Sequence, residues 1–201
     1  MQYENKIHKV TLILAILAST IIAGSASQID LGKVDGQKVG TNVLADYKPT
    51  GWMGDLKDIN LAVASSDNPH SPPICTKIVY SPKGNNGWAG IYWQYPANNW
   101  GNNSKGYDLT GAEKLTFWAR GQVGGERAEF KVGGITGQYP DSMTTPISTD
   151  VVVLSNEWQQ YTIDLTGQDL SHVIGGFCWV TNINQNPMGC IVYLDDIIYE
   201  S

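Results

Sequence analysis

The sequence predicts an all-β chain, a jelly-roll β-sandwich of two antiparallel sheets. Three observations point there. Short segments of alternating apolar and polar residues recur, separated by Gly, Pro, Asn and Asp. No long run after residue 27 carries its apolar residues at helical spacing. Roughly eight to ten such segments suit two packed sheets in a chain of this size.

Residues 1–27 read as a secretory leader. Lys6 and Lys9 precede an apolar run at 10–24, and Ser25, Ala26 and Ser27 follow. The run is shorter than the ~20 residues that a membrane span needs. No second apolar run follows, so no membrane insertion is expected once the leader is removed. Residues 28–201 then form one domain with a sizeable core, expected to be a monomer. Residues 32–40 are Gly- and Lys-rich and read as an exposed leading segment.

Strands are expected at 43–47, 76–80, 88–95, 114–119, 128–132, 151–154, 159–164, 176–180 and 190–199. In LTFWAR, Leu115, Phe117 and Ala119 share one face, and Thr116, Trp118 and Arg120 share the other. In QYTIDL, Tyr161, Ile163 and Leu165 share a face. Residues 65–73 and 136–145 are turn-rich loops.

The formal net charge is −6, and removing Lys6, Lys9 and Glu4 makes the remainder more acidic still. Without basic runs, nucleic acid is excluded as a partner, because phosphate neutralisation needs clustered Lys and Arg. Three cysteines do not make a disulfide framework. Export allows one bridge. Cys178 and Cys190 flank an apparent hairpin loop and are the expected pair, leaving Cys75 as a buried thiol. His8, His70 and His172 are scattered, so no histidine metal cluster is expected.

Residues 87–101, GWAGIYWQYPANNWG, place Trp88, Tyr92, Trp93, Tyr95 and Trp100 among Gly, Asn and Gln with no charge. Flat aromatic faces stack on the C–H faces of sugar rings, and amides read hydroxyls as donors and acceptors. Some of these rings serve equally well as core. Two locations for a ligand stay open. One is a concave sheet face carrying Tyr92 and Gln94, then Trp118 and Arg120, then Glu129 and Lys131 on neighbouring strands. The other is a loop end with Asn98, Asn99, Trp100 and Asn102, and Trp52 beside it. A salt-bridge ladder accounts for Arg120, Glu129 and Lys131 as well as hydroxyl recognition does. Trp118 is a core residue if the faces are inverted.

The last strand, CIVYLDDIIYE, holds Asp195 and Asp196, whose side chains are expected on opposite faces, one toward the interior or its edge. A buried carboxylate needs a cation or several donors, and calcium takes carboxylate and carbonyl oxygens.

Taken together, YLDDI, LTFWARG, EWQQYTIDL and the early GWMGD loop resemble carbohydrate-binding modules of the galactose-binding-like jelly-roll type. The resemblance covers roughly residues 46–200. It implies a structural calcium with Asp195 as first ligand and Asp55 as second, with Asp196 and Asp58 weaker. The same superfamily hosts domains that bind proteins or lipids, so it is the leader and the neutral aromatic and amide cluster, not the fold, that point to a secreted protein binding a polysaccharide or cell-surface glycan without cleaving it.

No enzyme is expected. Glu126 and Glu129 are too close in sequence for a glycosidase pair, which must flank the scissile bond. His70 and His172 lack an arginine partner, and Ser142 lacks a nucleophile elbow. The competing reading is an adhesion protein that docks a protein partner through the same aromatics.

Overall fold

The computed structural model describes residues 40–201. The expected leader at 1–27, and all but the last residue of the 32–40 segment, lie outside the described residues. Strands with one apolar face bury it by pairing into two five-stranded antiparallel sheets. Sheet I has the order β2 (Ile59–Ser65), β3 (Cys75–Tyr80), β10 (Cys190–Glu200), β5 (Lys114–Gly121) and β8 (Gln159–Asp164). Sheet II has the order β1 (Lys48–Gly54), β4 (Trp88–Gln94), β9 (Gly175–Asn182), β6 (Arg127–Val132) and β7 (Ile147–Val153). This is the expected jelly-roll sandwich.

The core lies between the sheets. Phe117 from sheet I meets Phe130 at 4.7 Å and Phe177 at 5.1 Å from sheet II, ring centroid to centroid. Ile78, Leu115, Val192 and Leu194 line the sheet I side; Ile91, Trp93, Val132 and Trp179 line the sheet II side. Alternation along each strand then sends the intervening residues to the outer faces.

Three elements differ from expectation. Residues 43–47 form not a strand but a one-turn helix, α1 (Val43–Asp46). The Asn42 side chain accepts the Leu44 N–H at 3.0 Å and draws the chain into a turn that β-branched and aromatic residues alone would not signal. Strand β1 was hidden by Pro49, Gly51 and Gly54; it is an edge strand, where a missing N–H is tolerated. Strand β2, on the edge of sheet I, had only a mild alternation over INLAVAS.

The expected Cys178–Cys190 disulfide is absent, and all three cysteines are free and buried. The connection between them is not a hairpin: it carries the chain from β9 in sheet II to β10 in sheet I. Cys178 packs on the outer side of sheet II with Tyr92, whereas Cys190 belongs to the core. Burial pushes the Cys75 thiol up to about 11 and the Cys190 thiol up to about 12, and raises Cys178 further. Thiolates are the reactive form. A thiol-specific chromogenic reagent at about pH 8 should therefore report no rapid reaction in the native protein and three thiols after denaturation. One thiol after denaturation without reductant would restore the bridge.

Candidate functional site

On β4, Ala89, Ile91 and Trp93 face the core, so Trp88, Gly90, Tyr92 and Gln94 lie on the outer side of sheet II. Register adds their neighbours. Gly90 and Glu129 both pair with Val180, and Tyr92 and Lys131 both pair with Cys178. Gly90 is buried, and the space a Cβ would take is closed by Met53 Cε and Val180 Cγ2, each 3.0 Å away, so these two side chains form the floor there. Tyr92 is largely buried, donates its hydroxyl to the Gly133 carbonyl at 2.9 Å and holds Trp100 edge-on at 6.0 Å. Trp100 remains 42% exposed and Trp88 38%. Four residues of extended strand put Trp88 about 13 Å from Tyr92. Between these aromatic ends, Glu129 accepts from Lys131 Nζ at 3.1 Å and Ser148 Oγ at 2.6 Å.

The loop that presents Trp100 is knotted from within. Asn99 donates to the carbonyls of Asn103 and Lys105 and accepts from the N–H groups of Gly101 and Asn103. Gly101, at φ +79°, abuts Thr136, whose carbonyl oxygen would lie 2.1 Å from any Cβ, so only glycine lets the two loops meet. Gln94 is fully buried. Its amide donates to the Asn99 carbonyl and accepts from Thr50 Oγ1, both at 2.9 Å. It is a strut for this loop and has no free face for a ligand.

Trp118 and Arg120 were expected beside Tyr92 and Glu129. They lie instead on the outer side of sheet I, because β5 crosses to the opposite sheet. There the 66–74 loop straps over them. His70 stacks on Trp118 at 3.8 Å, Arg120 donates to the Asp67 carbonyl at 2.9 Å, and Trp158 Nε1 donates to the Asn68 carbonyl at 2.9 Å. The Arg120 guanidinium sits 3.8 Å above the Tyr193 ring, a cation–π contact. Arg120 is buried and Trp118 half-buried beneath the strap. Trp52 pairs with inward-facing Ile91 at the edge of sheet II, away from the Tyr92 side.

Asp195 and Asp196 also bind the strap. A bulge in β10, with Asp196 at φ 44°, turns both acids to the same side and overrides the expected alternation. Asp195 accepts the N–H groups of Ser71 and Asp196, both at 3.0 Å. Asp196 accepts from Ser71 Oγ and pairs with His70 Nδ1 at 2.8 Å. Asp55 is occupied elsewhere, accepting from Asn86 Nδ2 at 2.9 Å and the Gly87 N–H at 2.8 Å. Asp195 follows Leu194, the partner of Thr76 at one end of β3; Asp55 bonds Asp58 and the Gly87 N–H, and Asp58 bonds the Ser81 N–H just past Tyr80, at the other end. That separation is about 15 Å along the strand. Asp55 and Asp195 therefore do not fit a shared calcium site. Among the described residues no three His, Cys, Asp or Glu side chains converge to hold a metal.

No family model matches the chain, and no curated protein matches it in sequence. Solved structures do. A family 30 carbohydrate-binding module aligns at a TM-score of 0.59 and 15% identity, covering 82% of this chain and 89% of the module. The fold is that of a carbohydrate-binding-module jelly roll. The family 30 module of a cellulosomal cellulase from Clostridium thermocellum gives 0.55 at 16% identity, with 79% and 95% coverage. A family 11 module from the same organism, in complex with a β-1,3-1,4-mixed-linked tetrasaccharide, gives 0.52 at 14%, with 81% and 96% coverage.

Of the expected ligand residues, sheet II gathers Tyr92, Trp100 and Glu129 on one face. It adds Trp88, which the concave-face set did not include although it lies an i, i+4 step from Tyr92, and Met53 and Val180, which only the strand pairing reveals.

Two outcomes follow. Chelation with EDTA checks the expected structural calcium: a fall of several degrees in melting temperature would show a metal held by a set other than Asp55 with Asp195, and an unchanged melt would remove it. Desolvation raises the Asp195 carboxyl above its ordinary value of 3.8, partly opposed by the Ser71 N–H bond. The folded state then binds that proton more readily than the unfolded state. Its contribution to stability grows as pH falls through the raised value toward 3.8 and is lost as pH rises. Urea midpoints between about pH 7 and about pH 4.5 should show this gain in the native sequence and a smaller one in Asp195→Asn. Equal responses would remove Asp195 as the source.

Proposed function

We propose that the protein is an exported, non-catalytic carbohydrate-binding domain, with residues 1–27 as leader and 28–201 as the binding domain, and that it holds a polysaccharide or other glycan on the outer side of sheet II. The observation that carries this reading is a pair of exposed tryptophans, Trp88 and Trp100, on one sheet face with the Glu129–Lys131 pair between them. Rings at the ends stack on pyranose faces, and the polar pair bonds hydroxyls. The solved carbohydrate-binding modules of the same fold support it. Glu129, paired with Lys131 and accepting from Ser148 Oγ, is held in place as a hydrogen-bonding group. Among the described residues no helix is long and apolar enough to cross a membrane.

A second reading, a docking face for a protein partner, draws on Val151 and Val153. They are exposed on β7 beside Glu129 and Arg127. Competition separates the two: soluble glycan displaces a sugar-bound protein and leaves a protein contact intact.

A polysaccharide and glycan array should show saturable binding to one sugar class. Trp88→Ala and Trp100→Ala should each weaken it about tenfold, the cost of one stacking anchor, with little change in melting temperature. Trp118→Ala, beneath the strap on the other sheet, should leave affinity unchanged. Loss in Trp118→Ala equal to that in Trp100→Ala, or no glycan bound at all, would overturn the assignment.

A further inference from the structure

Toward the Trp88 end of sheet II, the outer side carries a row of groups that can only donate. Asn182 on β9 is the partner of Trp88. Extending the Glu129–Val180 register by two residues places Arg127 of β6 on the other side of Asn182. Ala89, Thr181 and Ala128 are buried, so alternation sends Trp88, Asn182 and Arg127 outward. Across β4, β9 and β6, the Cα atoms of Trp88 and Arg127 then lie about 10 Å apart, which a disaccharide spans.

Each member is held by the fold and left open to solvent. Gly54 lets the Trp88 indole lie against β1, since a Cβ there would come within 2.9 Å of Cδ2. Asn182 Oδ1 accepts the Gln185 N–H at 3.0 Å, while Nδ2 donates to no protein group among the described residues. Buried Asn186 brackets the Arg127 backbone, accepting its N–H at 3.1 Å and donating to its carbonyl at 2.7 Å. Thr181 Oγ1 donates to the same carbonyl at 2.8 Å. The Arg127 side chain is exposed and has no ion pair or hydrogen bond among the described residues. Glu129, two residues on, is already engaged by Lys131 and Ser148, and Val153, the β7 partner of Arg127, brings no charge.

We propose that this row is a subsite for a sugar that carries a carboxylate, a hexuronate unit. Such a subsite rests on the glycan reading of sheet II and narrows it to a substrate class. Sugar hydroxyls both donate and accept, and groups of both kinds suit them. Asn182 Nδ2 and the Arg127 guanidinium only donate, and the guanidinium adds a positive charge. A carboxylate only accepts, and its two oxygens match the guanidinium fork. With one ring stacked on Trp88, the next unit lies over Asn182 and Arg127. The net charge of −6 repels a densely charged chain, and one guanidinium pairs with one carboxylate. The row therefore fits a largely neutral glycan with isolated uronates better than a polyanion.

The test is calorimetric titration of the full chain with trisaccharides carrying one glucuronate, galacturonate or mannuronate, each beside its carboxyl-reduced neutral counterpart. At least one uronate trisaccharide should bind saturably, about tenfold more tightly than its neutral counterpart. Arg127→Gln should erase that preference at an unchanged melting temperature, because the side chain makes no ion pair or hydrogen bond within the protein. Lys114→Gln removes the same charge from sheet I and should keep the preference. Neutral and acidic trisaccharides bound equally, or a preference that survives Arg127→Gln, would overturn the uronate subsite and leave the glycan reading standing. No binding of any trisaccharide would overturn the subsite as well, and the polysaccharide array would then decide the glycan reading by itself.

Discussion

Both outer faces of this sandwich depend on the contact of Phe117 with Phe130 and Phe177 across the core. It fixes which residues of β5, β6 and β9 point inward. Period-two alternation does the rest. With Phe117 inward, Trp118 must face out of sheet I; with Phe130 and Phe177 inward, Glu129 and Cys178 must face out of sheet II. A one-residue slip in any of the three strands would exchange its faces, and the large rings that would then be exposed make such a slip costly.

Alternation was legible in the sequence, and sheet membership was not. LTFWAR showed which side chains share a face, but nothing local says which sheet a strand joins. That choice belongs to long-range pairing: β5 hydrogen-bonds to β10 and β8, not to β4, which precedes it in the chain. The expected concave face therefore split in two, with Tyr92 and Glu129 on one side of the molecule and Trp118 and Arg120 on the other. The same ignorance of crossovers made residues 178–190 look like a hairpin. Strand β1 was illegible for a different reason. Its Pro and Gly residues speak against a strand in general, and only an edge position makes them harmless.

The polar residues of the candidate sites raised a second ambiguity. In sequence, an amide or carboxylate beside aromatics looks like a ligand reader. In the fold, most of these groups are consumed by backbone. Gln94 and Asn99 tie down the Trp100 loop, Asp195 holds the strap, and Asp141, nearly fully buried, accepts the N–H groups of Ile135, Ile174 and Gly175. A jelly roll concentrates loops at its ends, where strand ladders no longer satisfy backbone N–H groups, so side chains must do so. Spacing cannot separate the strut from the reader, since both need the same chemistry near the same turns.

What distinguishes the two faces is therefore where the loops lie. On sheet I the 66–74 loop runs across Trp118 and Arg120, bound at five or more side chains, and leaves the aromatics stacked on protein groups. On sheet II the 96–105 and 134–141 loops lock to each other at one end, through Gly101 and Thr136, and leave Glu129 and Lys131 partly exposed along the strands. The aromatics of sheet I have partners, while Trp88 and Trp100 keep open ring surface. An exposed tryptophan adds nothing to a core and is an aggregation liability. Two of them on one face, with Trp100 fixed by a loop that Asn99 and Gln94 tie down, offer the open ring surface that the proposed glycan binding needs.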